Sequence, residues 1–134
     1  MVPVRGSDAL WGLLTQGMGM RVIIAGSRHL GKEFYPRLLS AIESSGFEIT
    51  TVLSGGARGA DALGETWAIG MGIPLEIFPA AWDESGKRAG PMRNAKMADN
   101  ADALILLWDG ESRGSADMLR RAEKKRLKIF QAIV

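Results

Sequence analysis

From Arg21 to the end of the chain, short apolar runs alternate with longer segments in which apolar residues recur at helical spacing. Five runs are short and bounded by glycine, proline or polar residues, which is typical of strands. They are RVIIAG (21–26), EITTVLSG (48–55), PLEIFPA (74–80), ADALILLWD (101–109) and KIFQAIV (128–134). The fourth run is the most apolar, as expected of a strand that is covered on both faces.

The segments between these runs carry helix signals. Residues 33–45 place four apolar side chains on one helical face, namely Phe34, Leu38, Leu39 and Ile42. Gly46 then stands where a helix C-cap is expected. Further helices are predicted over 60–72, from Pro91 to about Asn100, and over 115–127, with a polar loop at 81–90.

This alternation predicts an α/β fold, a single doubly wound, Rossmann-like parallel sheet of about five strands over residues 21–134. Right-handed crossovers lead to the strand order 3-2-1-4-5. In such sheets, ligands bind at the carboxyl ends of the strands where the winding reverses, which here lies between strands 1 and 4. The loops after strands 1, 2 and 4 are therefore expected to share one edge.

Residues 1–20 do not follow this pattern and are predicted to form an N-terminal extension. Ser7 and Asp8 are suited to cap a short helix, which the GMGM stretch at 17–20 interrupts. The apolar side of that helix is expected to pack on the surface of the domain or on a neighbouring subunit.

Composition narrows the class of protein. The chain has no cysteine, which excludes disulfides and thiolate metal sites and fits the reducing cytoplasm, the predicted location. The formal net charge of +2 permits a phosphate-bearing partner. No apolar run approaches the roughly 20 residues that span a bilayer, so no membrane association is expected. The single histidine, His29, has no companions at metal-ligand spacing, and no metal or cofactor is predicted.

The loop after strand 1 has two interpretations. Gly26 to Lys32 spells G-x-x-x-x-G-K between a strand and a helix, the setting of a P-loop, but Glu33 stands where Ser or Thr would ligate Mg²⁺. The other interpretation takes Gly26, Ser27 and Arg28 as a close backbone approach, a hydroxyl and a cationic fork for a phosphate or carboxylate. The second is favoured, because the Glu33 carboxylate would repel the phosphates of a nucleoside triphosphate.

The loop after strand 2, SGGARGAD (54–61), is rich in glycine for one of two reasons. Gly55, Gly56 and Gly59 either make a plain tight turn or let the backbone cradle a phosphate beside the start of the next helix. The place of this loop at the expected ligand edge favours the cradle. Asp61 is expected either to cap that helix or to accept a hydrogen bond from a ribose hydroxyl.

Together these motifs resemble the SLOG superfamily. GSR after strand 1 matches it, and SGGARGAD agrees at every fixed position with the S-G-x-A-x-G-x-D pattern of the DprA/Smf Rossmann domain. AGPMRN (89–94) and LLWDGESRGS (106–115) resemble the YspA/YpsA-related branch, so that the resemblance extends over 21–134. It implies a Rossmann-like protein that binds a nucleotide or a nucleotide-derived small molecule and commonly forms homo-oligomers.

Arg93 and Asn94 are predicted in the first turn of a helix, where a cation opposes the helix dipole. An unfavourable charge at that place indicates that the arginine serves a ligand phosphate or a neighbouring subunit, and a surface salt bridge is the alternative. Trp82, in the polar loop, is the tryptophan considered for stacking on a base, whereas Trp67 and Trp108 are expected in the core.

The residues predicted to bind the ligand come from these loops and helix starts. They are Gly26, Ser27, Arg28, Ser54, Gly55, Gly56, Gly59, Asp61, Arg93, Asn94, Gly114 and Ser115. The last of them opens the helix after strand 4 and is expected to add a hydroxyl.

Two carboxylates, Asp61 and Glu65, are candidates for catalysis. The LOG-type phosphoribohydrolases of the same superfamily resemble P-G-G-x-G-T-x-x-E, whose glutamate works at the glycosidic bond, but Leu63 stands at the matching position here. A sensor or carrier is therefore favoured over an N-glycosidase of nucleoside monophosphates. Single-stranded nucleic-acid binding, which the DprA resemblance suggests, is expected to be weak, because the basic run RRAEKKRLK (120–128) contains no aromatic residue.

Overall fold

Five strands form the core of the protein: β1 (Met20–Gly26), β2 (Ile49–Ser54), β3 (Leu75–Ile77), β4 (Ala103–Trp108) and β5 (Lys128–Ile133). All of them pair in parallel, in the order β3-β2-β1-β4-β5, so the predicted order is confirmed. The computed structural model describes residues 19–134. The helix expected behind Ser7 and Asp8 lies outside the described residues.

Helices cover both faces of this sheet. They are α1 (Tyr35–Ser45), α2 (Ala60–Met71), α3 (Trp82–Ser85), α4 (Ala89–Asp99) and α5 (Arg113–Lys124), with 3-10 turns at Lys32–Phe34 and Gly86–Arg88. α1 ends at Gly46 with a φ of +68°, the left-handed C-cap that the sequence predicts. Within residues 19–134, no helix has both the length and the apolar character needed to cross a bilayer.

The sheet separates two hydrophobic clusters, because successive side chains of a strand point to opposite faces. β4 is buried along its whole length, with Ile105 in the cluster under α1 and α2 and Leu106 in the cluster under α4 and α5. Trp67 and Trp108 belong to these clusters and are only 8% and 7% exposed, as expected. The continuous apolar character of β4 therefore follows from its central place in the sheet.

The buried face of α1 differs from the prediction. Leu38 and Ala41 are buried, whereas Leu39 is 42% exposed and does not belong to the core face. Phe34 and Ile42 pack on the core as predicted, whereas Leu39, at 3.6 residues per turn, is turned about 100° away from Leu38 and so leaves that face.

Two further boundaries are corrected. The segment 81–90 is not a plain polar loop, because α3 and the turn Gly86–Arg88 make most of it helical. The last helix begins at Arg113 instead of 115, since Ser112 caps it by accepting a hydrogen bond from the Ser115 amide. It ends at Lys124 instead of 127, just before Arg126, whose φ of +59° is incompatible with a continuing helix.

The loops after β1, β2 and β4 meet at one edge, as predicted, and Ser27 joins them. Its amide donates to the Leu107 carbonyl, its hydroxyl accepts from the Asp109 amide, and its carbonyl accepts from the Ala60 amide, each at 3.1 Å. The Ser27 side chain is buried. The winding of the sheet reverses between β1 and β4, so this junction marks the edge where ligands of doubly wound sheets bind.

Candidate functional site

A cavity of about 370 Å³ opens at this edge, and we call it the central cavity. Four segments line it: the end of β1 and its loop, the glycine loop with the start of α2, the middle of α4, and the start of α5. The lining residues are Ala25, Gly26, Arg28, Ala57, Asp61, Arg93, Asn94, Met97, Ser112, Gly114, Ser115 and Met118. The cavity thus brings together residues of four separate parts of the sequence.

Most of the predicted ligand residues lie in this lining, but not all of them do. Gly55 and Gly56 line a smaller cavity next to it. Ser27, Ser54 and Gly59 are not in the lining of either cavity. These three residues hold the loops in place, as their contacts show.

Arg93 is the more enclosed of the two cavity arginines. Its Nη1 donates to the Gly55 carbonyl, and its Nε donates to Oδ1 of Asn94 at 3.0 Å. Burial lowers the pKa of the Arg93 guanidinium, the Asp61 charge opposes that shift and the Arg28 charge adds to it. A guanidinium stays protonated far above neutral pH, so Arg93 carries a positive charge into the cavity at neutral pH.

Arg93 does not lie where the sequence predicts it. α4 begins at Ala89, which makes Arg93 and Asn94 its fifth and sixth residues and not part of the first turn. The helix starts early because the turn Gly86–Arg88 leads directly into it, and Pro91 fits at the third position, where its missing amide has no helical partner to lose. The dipole argument for Arg93 is therefore wrong, and its contact with Gly55 explains its place instead.

Asn94 is fixed by a residue that sequence reasoning missed. Its Nδ2 donates to Oδ2 of Asp117 at 3.0 Å, and that buried carboxylate also accepts from Nε of Arg121 at 2.9 Å. The Asn94 amide can then present only its Oδ1 to Arg93, so a chain of hydrogen bonds from α5 orients the guanidinium. An acid followed by arginines three and four positions later is the sequence signal that points to Asp117.

Ser115 is an unsatisfied polar residue in the cavity wall. It is 3% exposed, and its hydroxyl has no hydrogen-bond partner within the described residues. Its amide is the donor to the N-cap, so the hydroxyl lies in the first turn of α5, at the positive end of the helix dipole. A buried hydroxyl without a partner is unusual in proteins and calls for an explanation.

The glycine loop is held by its own side chains. The Gly56 amide donates to Oγ of Ser54 at 3.1 Å, and Ser54 in turn donates to Oε2 of Glu65 at 2.6 Å. The Ala57 amide donates to Oδ2 of Asp61 at 3.1 Å. These two amides, which a phosphate cradle would use, are thus occupied within the loop.

Gly59 is required by the packing of the loops. A Cβ atom at this position would lie 2.2 Å from the Ser27 carbonyl oxygen, and the φ of +76° is one that glycine adopts readily. The third glycine of the motif therefore permits the loops after β1 and β2 to touch, while Gly55 leaves room for the Arg93 guanidinium.

Asp61 lines the central cavity but does not cap α2, because its carboxylate binds the Ala57 amide that precedes the helix. The pKa of Asp61 is raised to about 6, mainly by burial and also by the Glu65 charge. The Ala57 hydrogen bond and the charges of Arg93 and Arg28 act in the opposite direction and limit this rise. Part of the Asp61 population is therefore protonated near neutral pH. Glu65 lies outside the cavity lining, on Ser54.

The P-loop interpretation places Lys32 at the phosphates, but Lys32 is exposed and lies outside the lining of the central cavity. Leu30, within the same loop, is buried and belongs to the core under α1 and α2. Among residues 19–134, there is no cluster of three or more metal-ligating side chains.

Comparisons with known proteins agree with the fold. Residues 20–84 match the YspA, cpYpsA-related SLOG family. The chain is 33% identical over 119 residues to the Gene 61 protein of Mycobacterium phage D29, covering 82% of this chain and 94% of that one. The X-ray structure of DNA processing protein A (DprA) from Streptococcus pneumoniae is similar with a TM-score of 0.68, at 20% identity, over 84% of this chain. The chain spans 50% of the length of that DprA chain.

The family match covers two of the four segments that line the central cavity, the end of β1 with its loop and the glycine loop with the start of α2. The family match begins at the start of β1, includes the glycine loop and ends at residue 84, one residue before the end of α3. Similarity to the phage protein extends over most of the chain. With the strand order and the motifs after β1 and β2, they lead to one conclusion: this chain belongs to the YspA, cpYpsA-related SLOG family.

Proposed function

We propose that the central cavity binds a nucleotide or a nucleotide-derived small molecule, and that the protein acts as a sensor or carrier of it. The observation that carries this proposal is a cavity whose wall holds two arginines beside Ser115, a buried residue whose hydroxyl has no hydrogen-bond partner within residues 19–134. A phosphate group accepts hydrogen bonds from hydroxyls and guanidinium groups and is favoured at a helix start.

The charge of the cavity supports an anionic ligand. Arg28 and Arg93 face a single lining carboxylate, Asp61, so the wall carries a net positive charge. The pKa of Asp61 of about 6 reduces the opposing negative charge further, because a bound phosphate favours the protonated carboxyl. Arg93 is held in place by Asn94 and Gly55, so little side-chain entropy is lost when it binds the ligand.

The size of the cavity supports a small molecule. Its volume of about 370 Å³ lies near the lower end of the roughly 300–1,000 Å³ that small-molecule sites occupy. Met97 and Met118 contribute apolar side chains to its wall, while the polar groups come from the loops and from α4 and α5. This arrangement of apolar side chains with a few fixed polar groups is typical of ligand sites.

Calorimetric titration with a panel of ribonucleoside phosphates tests the proposal. Arg28→Ala is expected to weaken binding at least tenfold, because a charge-assisted hydrogen bond contributes about 1.5–3 kcal/mol. Arg37→Ala is the matched control, since Arg37 is an exposed arginine on α1 and contacts the Ile133 carbonyl. Unchanged affinity in Arg28→Ala, or an equal loss in both variants, would remove Arg28 from the site.

A second candidate function is cleavage of the N-glycosidic bond of a nucleoside monophosphate. The observation in its favour is that Asp61 lines the cavity with a pKa of about 6, close to the value that suits a general acid or base near neutral pH. Asp61 is nevertheless engaged by the Ala57 amide, and Glu65 is engaged by Ser54. Binding without cleavage is therefore the favoured proposal.

Chromatography of free base after incubation with nucleoside monophosphates separates the two functions. We expect the nucleotide to be recovered intact from the wild-type protein. Release of base by the wild type that is lost in Asp61→Asn or in Glu65→Gln would establish the enzyme and identify its carboxylate. The two variants control for each other, because only Asp61 lies in the cavity lining.

Two further properties belong to the proposal. Self-association is supported by apolar side chains that are exposed at the end of α2, Ile69 and Met71. Sedimentation of the wild type and of Ile69→Ser tests it, and a monomeric wild type would contradict it. Nucleic-acid binding, suggested by the similarity to DNA processing protein A, is expected to be weak because the formal net charge is only +2.

A further inference from the structure

A smaller cavity of about 240 Å³ adjoins the central cavity, and we call it the side cavity. The two share Arg28, Ala57 and Arg93 in their walls, so the arginines stand at the boundary between them. The rest of the side cavity differs in character from the central one. Its wall is built from the glycine loop and from the apolar side chains of Ile77, Pro79, Ala80 and Trp82.

Trp82 is the large aromatic residue of this wall. Its side chain is 50% exposed, in contrast to the buried Trp67 and Trp108. A Cβ atom at Gly90 would lie 3.3 Å from Cη2 of Trp82, so one edge of the indole lies close to the start of α4. A half-exposed indole beside a cavity is suited to stack on a flat ligand group.

We infer that the side cavity takes the base of the nucleotide, stacked on Trp82, while the central cavity takes its phosphate. This inference rests on the proposed function and adds the position of each half of the ligand. A nucleotide has an anionic sugar-phosphate half and a flat aromatic half. The central cavity offers a polar, cationic wall for the sugar-phosphate half. The side cavity offers an apolar, aromatic wall for the flat half.

The glycine loop fits this assignment. Gly55 and Gly56 line the side cavity together with the apolar residues, and neither has a side chain that would obstruct a flat ring. A Cβ atom at Gly56 would lie 3.2 Å from Cγ2 of Ile77, so the loop packs closely on Ile77 at this point and a side chain there would crowd it. The two glycines therefore leave the wall of the side cavity free of side chains of their own, whereas the Gly56 and Ala57 amides are used within the loop.

The side cavity gives a defined ligand preference. It favours phosphates that carry a base over phosphates that do not, because only the base can contact Trp82. Stacking accepts any base, since every base has a π-face. The selectivity of Trp82 is therefore for the class of nucleotides over sugar phosphates, and only weakly for one base over another.

Two probes and two variants test this inference. The affinity of the wild type is measured by calorimetry for the four ribonucleoside 5′-monophosphates and for ribose 5-phosphate, which lacks the base. Trp82→Leu removes the π-face but keeps apolar bulk, and Trp82→Phe keeps an aromatic ring. Thermal unfolding of both variants establishes that each is folded, which is expected because half of the indole is in solvent.

Trp82→Leu is expected to weaken the tightest-binding monophosphate by between about fivefold and about 150-fold, the range that base–aromatic stacking spans. Its affinity for ribose 5-phosphate should stay within about twofold of the wild type, and Trp82→Phe should keep most of the nucleotide affinity. Equal losses for nucleotide and ribose 5-phosphate, or no loss for the nucleotide, would overturn the inference while the proposed function stands. Failure of the wild type to bind any of the five probes would overturn both.

Discussion

Asp61 is expected to lower the stability of the folded protein at neutral pH, and Asp61→Asn is expected to restore it. Burial raises the pKa of this carboxyl from 3.8 to about 6, so ionising Asp61 costs more free energy in the folded state than in the unfolded state. A shift of about two units corresponds to about 3 kcal/mol. The side chain is only 6% exposed, so solvent screens this cost little. We expect a gain of about 1–3 kcal/mol for Asp61→Asn near pH 8.

The asparagine suits this test because it is close in shape to aspartate and keeps an oxygen that can accept from the Ala57 amide. What it removes is the charge. The variant also loses the attraction between Asp61 and Arg93, and that attraction is already included in the raised pKa.

The dependence on pH follows from the direction of the shift. Between pH 3.8 and about 6, the folded state binds more protons at Asp61 than the unfolded state does, so this group lowers stability as pH rises. The advantage of Asp61→Asn should therefore be complete above pH 6, shrink as the pH falls through about 6, and vanish near pH 4.

Urea unfolding followed by circular dichroism, at pH values from about 4 to about 8, measures this difference. Asp109→Asn is a control of opposite sign, because the amides of Glu111 and Ser112 donate to that carboxylate and hold its pKa below the usual value. Its removal should lower stability at neutral pH and matter less in acid. A variant Asp61→Asn that is less stable than the wild type near pH 8, or an advantage that does not change with pH, would refute the reasoning.

Three other outcomes are expected. Gly59→Ala should destabilise or unfold the protein, because its Cβ atom would lie 2.2 Å from the Ser27 carbonyl oxygen. Gly70→Ala, which has open space around it, should instead stabilise α2 by up to about 1 kcal/mol, and urea unfolding compares the two variants. Binding to single-stranded DNA, measured by fluorescence anisotropy, should be weak and disappear near physiological salt, and nanomolar binding that survives would favour a DprA-like role. Mg²⁺-dependent ATP hydrolysis that Lys32→Ala abolishes should not occur, since Lys32 lies outside the cavity lining; its detection by phosphate release would restore the P-loop interpretation.

The sequence was sufficient to predict the strand order and the edge of the sheet at which the loops after β1, β2 and β4 meet. Apolar runs record which segments are buried, and the nearly unbroken run 103–108 identifies the central strand β4. Once the right-handed crossovers are assumed, the loops with Arg28 and Ser115 must come to one edge. Both residues lie in the lining of the central cavity.

The hydrogen bonds within the site could not be predicted in this way. The contact of Arg93 with the Gly55 carbonyl joins residues 38 positions apart, and the contact of Asn94 with Asp117 joins residues 23 apart. Such pairs depend on how α4 and α5 lie across the sheet, which periodicity does not record. The early start of α4 also escaped prediction, and it places Arg93 in the second turn of the helix instead of the first.

The structure of the protein with a bound ribonucleoside monophosphate tests the central claim most directly. The phosphate is expected in the central cavity, within hydrogen-bond distance of Oγ of Ser115 and of the guanidinium groups of Arg28 and Arg93. A nucleotide bound with its phosphate at Lys32, or at any surface away from this cavity, would contradict the account.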